Sequence, residues 1–365
     1  MNELEPYYWR SKIDAFNEDF TQKLLNEINI LNNELEKEID DSDKLMFRVI
    51  NQYSNKESEV FFQTILKEKT EKIQEYNKDI AGFYALLKKR WQKAIELLEA
   101  FYLLSIETGS KFNKESLPQA LESNDLVFLT LRLLHGRACL VTGEIITLLK
   151  NGYPDGAIAR WRTLFELSVT ASFLKKHGVQ TITKYLDHQY IEAEKSANTY
   201  QKYAKDLHQE AFSEAEFETF TANKQLLIEK YGKTFAHPYG WAAEALDERK
   251  GKISFKRIAE NSDFAKLYPY YQMASIAVHS NARGFSVVLG QPRNQEKVIL
   301  VGPSDAGFAD PGSLTAISLL HINVIFLSTN LSTSAYRVIT MRTMLLLERE
   351  INKQLEFAYN HPLNE

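Results

Sequence analysis

From Ser58 to about Glu107 the chain contains no proline and a single glycine, Gly82, while its apolar residues recur at helical spacing. Phe61, Phe62, Ile65, Ile73, Tyr76, Ile80, Phe83, Leu86, Leu87, Trp91, Ala94, Leu97, Leu98 and Phe101 carry the pattern, sparse at first and dense later. A strand would alternate with a period of two, so this spacing calls for one long helix, with Gly82 as the natural place for a kink. Its charged first half (Lys67, Glu68, Lys69, Glu71, Lys72) reads as a solvated helix laced with short-range ion pairs. A dimerising coiled coil is the alternative, although the heptads are irregular.

The rest of the composition points the same way. Fifteen glycines in 365 residues are few for an α/β nucleotide-binding fold, whose strand-to-helix turns need them. With 44% hydrophobic and 25% charged residues, the chain is neither disordered nor collagen-like. A net charge of −4 supplies no global basic field for nucleic acid, and no internal repeat is visible. The near-neutral total hides an acidic start, because the first fifty residues hold twelve Asp or Glu against six Lys or Arg. Phe16, Phe20, Leu24, Leu25, Ile28 and Leu31 nevertheless give that segment an amphipathic helical face. No basic start followed by an apolar run marks a signal peptide, and the single cysteine, Cys139, lies in an apolar helix as a buried thiol. A cytoplasmic protein is the expectation.

The expected fold is all-α: an N-terminal helical extension over about residues 1–110 and a C-terminal helical bundle over about 125–360. Gly109 to Asn124, with Pro118, reads as the connector between them. Helices are expected at about 125–150, 155–176, 179–208 and 213–231, with Asn151-Gly152-Tyr153-Pro154 as a tight break and Gly232 as a stop. Pro269 suits the first turn of a helix running to about Arg283. One small β-hairpin is expected at about 285–301, where Ser286 to Leu289 and Lys297 to Val301 flank Gly290-Gln291-Pro292-Arg293-Asn294. Helical sequence then runs from Ser313 to about Tyr359 with a break near Ser332 to Ser334. No charged residue stands between Asp310 and Arg337, but Ser318, His321 and Asn323 interrupt the apolar centre, so a buried core helix is favoured over a membrane span.

Polar residues inside apolar helices are where chemistry should be sought. Arg162 and Glu166 stand four apart on one helical face, as an internal ion pair or as active-site groups. Tyr271, Ser275, His279 and Arg283 form a stripe at intervals of four on the helix opened by Pro269. His188 and Glu192 repeat that geometry between them, and the loop His237-Pro238-Tyr239-Gly240-Trp241 reads as a core plug or as a ligand-gating aromatic surface. Phosphate-cradling, nucleophile-elbow, His-Glu-x-x-His and paired Cys-x-x-Cys signatures are all missing, and no cofactor is expected. Glu166, His188, Glu192 and His279 could offer a mixed N/O metal site only if their helices met.

The Asn-Gly turn at 151–152, the Arg-Thr-Leu-Phe-Glu helix from Arg162 to Glu166 and the later Tyr-x-x-x-Ser-x-x-x-His at Tyr271, Ser275 and His279 together resemble a bacterial family of unknown function, DUF5677, over about residues 125–285. That family is helical with no settled activity, and it is distantly similar to the HEPN ribonucleases of toxin and antiphage systems. The resemblance implies a metal-independent, HEPN-like ribonuclease or toxin-type effector of bacterial defence. Its RNA substrate would meet His279 as general acid or base, Arg162 or Arg283 on a phosphate, and Glu166 orienting the histidine. HEPN ribonucleases carry an Arg followed four to six residues later by a His, a spacing this chain lacks; Arg132 and His135 are too close. The alternative is a non-catalytic interaction or sensor module with a structural Arg-Glu-His network, pairing with a protein such as an antitoxin or with a second copy through the N-terminal helices.

Overall fold

Helix α1 runs unbroken from Ser42 to Glu122, through Gly82, Gly109 and Pro118. In this computed structural model the described residues are 22, 25–26, 29–30, 42–248, 253–279, 282–285, 288–291, 299–329 and 334–362. The stretch expected as a connector is thus helix. Gly109 sits there because a Cβ at this position would lie 2.3 Å from the His135 ring, so glycine is what lets that imidazole approach the α1 backbone. Contacts divide the chain into one unit of residues 1–86 with 364–365, and a second of residues 87–363. Within the first, α1 leaves Val60, Phe62, Leu66 and Ile73 exposed.

The second unit is a helical bundle. Asn124 adopts a left-handed φ of 50° to turn the chain, and the Asp125 carboxylate accepts the Phe128 N–H to open α2 (Leu126–Lys150). Gly152, at φ 81°, turns it again, and Pro154 starts α3 (Pro154–Asp187). Two helices were expected here, and Gly178 (φ 74°) kinks α3 where their gap was read. Next come α4 (Gln189–Tyr203), α5 (Glu214–Tyr231), which begins with a Ser213/Glu216 capping box and stops at Gly232, and the short α6 (Phe255–Glu260). Helix α7 (Tyr268–Val278) ends before His279, and α8 (Ala309–Leu327) and α9 (Ala335–Asn360) complete the order.

Among the described residues there is no strand. Most of the expected hairpin at 285–301 lies outside the described residues, and the part inside is turn and loop. The backbone there is engaged elsewhere. Leu289 and Gly290 donate their N–H groups to the Asp155 carboxylate at 2.8 and 2.9 Å, and Ser304 Oγ donates to the Gly290 carbonyl at 2.6 Å. The described part of this arm is therefore pinned to the first turn of α3.

Helix α8 organises the core. It is apolar and long enough to cross a membrane by composition alone, as is α2, but 72% of its apolar window is buried inside the protein. Of its three fully buried polar residues, Ser318 and Asn323 have protein partners on neighbouring helices, while the Thr315 hydroxyl has none. The Trp161 indole of α3 donates to Leu314 O and Ser318 Oγ, both at 3.0 Å. Asn323, fully buried, donates from Nδ2 to Ser105 Oγ of α1 (2.9 Å) and to Leu319 O (2.7 Å), and its Oδ1 meets His135 Nε2 of α2 at 2.9 Å. Arg337, from the first turn of α9, donates to the carbonyls of Leu327 and Thr329 at the end of α8 (2.9 and 2.8 Å), where a cation complements the helix dipole.

Because Asn323 accepts from His135, replacing it by leucine strands a buried N–H. Asn323→Leu is expected to lower the urea-unfolding free energy by about 1–3 kcal/mol. Burial holds the His135 pKa below the ordinary 6.5, so as pH falls the unfolded chain takes up this proton before the folded one does. Stability should therefore decline as pH drops through that value. The decline between about pH 7.5 and 5.5 should be shallower in His135→Gln, as read by urea titration at each pH.

Candidate functional site

The Arg162 and Glu166 side chains lie one turn apart on α3 and are joined by a third residue. Arg162 Nη2 donates to the Tyr271 hydroxyl at 2.9 Å, and that hydroxyl donates to Glu166 Oε1 at 2.7 Å. The direct Arg162–Glu166 separation is longer, 3.7 Å. Tyr271 reaches them because α7 packs across α3, with the Tyr271 ring 5.2 Å from Phe165, 5.1 Å from Phe255 and 5.5 Å from Tyr268. The Arg162 guanidinium also stands 4.7 Å from the centre of the Tyr271 ring, a cation–π arrangement. Burial first, and then the bond to Glu166, push the Tyr271 hydroxyl up to about 12. It keeps its proton and donates it toward the carboxylate.

Two more expected residues belong to this neighbourhood. Tyr239 adopts a left-handed φ of 60°, and its hydroxyl is raised by burial and then by the charge of Glu166, with Arg162 opposing and Glu192 adding. Glu192 itself is exposed on α4 and 3.9 Å from Lys195. The loop before Tyr239 is tied to the end of α3: His188, buried, donates from Nε2 to the His237 carbonyl at 3.1 Å and packs on Phe235 at 5.2 Å. Burial lowers the His188 pKa, which favours the neutral ring. Trp241 is buried, edge-on to Phe173 and Tyr185, so it fills the core, while the His237 side chain is exposed.

The stripe from Tyr271 to Arg283 is shorter than its spacing suggests. Ser275 Oγ bonds back to the Tyr271 carbonyl at 2.8 Å. His279 lies beyond the end of α7 in extended backbone (φ −99°, ψ 127°) and is exposed; the only bond described for it is its N–H on Ser275 O. Arg283 stands in a separate turn, Ala282–Phe285. The physical reason is that a four-residue period continues a stripe only while the helix does. Among the described residues, no three of His, Cys, Asp and Glu come together to hold a metal ion.

Residues 128–297 match the family model described as a family of unknown function (DUF5677). This part of the chain belongs to DUF5677. No curated protein and no solved structure matches the chain. The DUF5677 segment takes in α2 through α7, and hence Arg162, Glu166, Tyr271, Ser275 and His279.

Outside the DUF5677 match lie two members of a polar cluster that sequence reasoning did not single out, Ser105 and Asn323, which meet His135 in the core. The interruption of the α8 apolar run by Asn323 was the signal that could have found it. Nothing in spacing, however, connects residues 105, 135 and 323.

Tyr271→Phe keeps the ring contacts and removes both hydrogen bonds. Because Glu166 is 41% exposed, water can replace part of what is lost. A decrease of about 1–2 kcal/mol in unfolding free energy is expected by chemical denaturation, and Tyr271→Leu should cost more by losing the aromatic packing as well.

Proposed function

We propose that this chain is a helical binding module in which Arg162, Tyr271 and Glu166 act as a structural clamp between α3 and α7. The observation that carries this reading is the Tyr271 hydroxyl. It accepts from Arg162 and donates to Glu166, so both charged groups are engaged before any substrate arrives. With its pKa up at about 12, it is poorly matched to proton transfer near neutral pH. The imidazole of His279 is in no described contact with either charge. Partners would be proteins, with a second copy of the chain the first to test. Phe62, Leu66 and Ile73, exposed on α1 at helical spacing, supply an apolar stripe for such a contact. The buried, reduced Cys139 suits a cytoplasmic setting.

A second reading is an RNA-cleaving effector of bacterial antiphage defence, with the HEPN-like resemblance behind it. One feature favours it: Glu166 is partly exposed, and Arg162 Nε, shielded from water, has no hydrogen-bond partner, so a carboxylate open to solvent stands beside a guanidinium with unused bonding capacity.

One set of variants separates the two. Under the clamp reading the wild-type chain leaves end-labelled single-stranded RNA intact. Arg162→Ala and Glu166→Ala then each lower the melting temperature, while His279→Ala leaves it unchanged. RNA cleavage by the wild type that disappears in His279→Ala, at unchanged melting temperature, would overturn the clamp reading in favour of the nuclease.

A further inference from the structure

A cavity of about 360 Å³ opens between the second half of α1 and α2, within the second unit, and shares no lining residue with the Arg162 clamp. Its volume is at the lower end of the roughly 300–1,000 Å³ of small-molecule sites. Tyr102, Ile106, Leu140 and Phe326 give it apolar walls, and Arg132 is the one charged residue that lines it.

Two polar atoms at this cavity lack partners. Arg132 Nε and Asn113 Oδ1 are both shielded from water and make no hydrogen bond. They come from different helices, α2 and α1, and both line the cavity. Leaving a shielded polar atom unpaired costs about 1–3 kcal/mol, and more when the group is charged. The floor does not answer the arginine. His135 commits its protonated Nε2 to Asn323, and the Cys139 sulfur stands 3.8 and 3.9 Å from the Nε2 and Nδ1 of that ring. Burial pushes the Cys139 thiol up to about 12, so no thiolate neutralises the guanidinium. Gly136, on the wall, has nothing within 4 Å of where a Cβ would stand, so the cavity is open along that side.

The structure assigns this cavity to a small organic monoanion: a carboxylate held by Arg132 and Asn113, carrying an apolar body of about one ring against Tyr102, Ile106, Leu140 and Phe326. A carboxylate fits better than a phosphate dianion because one guanidinium is the site's whole positive charge, and its planar fork suits two carboxylate oxygens. Asn113 supplies the polar counterpart, its amide turned to offer either its oxygen or its NH2 to the ligand.

The test is isothermal titration of the full-length protein with phenylacetate, beside 2-phenylethanol and phenyl phosphate, in wild type, Arg132→Gln and Gly136→Leu. Phenylacetate should bind saturably to the wild type and about tenfold or more tighter than either comparison compound. Arg132→Gln should reduce phenylacetate affinity by at least about tenfold while leaving 2-phenylethanol affinity nearly unchanged. Gly136→Leu should melt no lower than wild type, since leucine is the better helix former and its Cβ meets no neighbour, yet should lose binding because the side chain fills the cavity. Equal phenylacetate affinity in wild type and Arg132→Gln, tighter binding of 2-phenylethanol than of phenylacetate, or no saturable binding to the wild type would each overturn the assignment. None of these outcomes depends on whether the chain cleaves RNA.

Discussion

A single amide, Asn323, sets the alignment of the helices on which the rest of the bundle is assembled. It sits fully buried in the middle of the most apolar helix and bonds to α1 through Ser105 and to α2 through His135. An apolar helix has no intrinsic reason to prefer one axial position over the next, because sliding by one turn exchanges one aliphatic contact for another. A buried amide removes that freedom, since any slip leaves donors and acceptors unpaired in a dry interior. Trp161 applies the same constraint between α3 and α8 through Ser318. The two keys lie on the same helix, so α8 sets the position of α1, α2 and α3 together.

The polar chemistry of this unit is built outward from that frame. Helix α3 buries Trp161, Phe165 and Phe173, and Arg162 and Glu166 flank that face where α7 crosses, with Tyr271 bonded to both and packed on Phe165. The aromatic group around Tyr271 excludes enough water to strengthen the Arg162–Tyr271–Glu166 bonds, while the partial exposure of Glu166 limits what they contribute. The close approach of α1 and α2 at Gly109 brings His135 up to the α1 backbone, next to a cavity that Arg132 lines. Arg162 and Arg132 each leave a shielded Nε without a partner, but Arg162 is held through Nη2 by Tyr271, whereas Arg132 lines a cavity.

Much of the architecture was legible in local sequence. Pro154, Gly152, Gly232, the helix start at about residue 213 and the break near Ser332 to Ser334 mark helix ends that the structure shares. The failures are instructive. Gly109 to Asn124 carries the composition of a connector, yet helix α1 continues to Glu122, because tertiary packing against α2 outweighs weak local propensity. The stripe from Tyr271 to Arg283 was extended through a point where the helix stops, and the strand-like sequence after Phe285 lies largely outside the described residues. Arg162 and Glu166 were visible as a pair because they lie four apart on one helix. The role of Tyr271, more than a hundred residues away, was not.

What the sequence by itself determined is the helical class, most helix boundaries and the identity of the few polar residues inside apolar segments. These depend on spacing, on proline and glycine geometry and on caps, all of which act within a few residues along the chain. Only the tertiary structure decided which polar residues meet, including some that no local pattern singles out: Tyr271 between Arg162 and Glu166, Asn323 between Ser105 and His135, and Arg132 and Asn113 at one cavity. The reason is physical. Hydrogen bonds and ion pairs act over about 3–4 Å, and which side chains come within that range is set by how helices cross and how far each slides along its neighbour, neither of which is written in any local pattern.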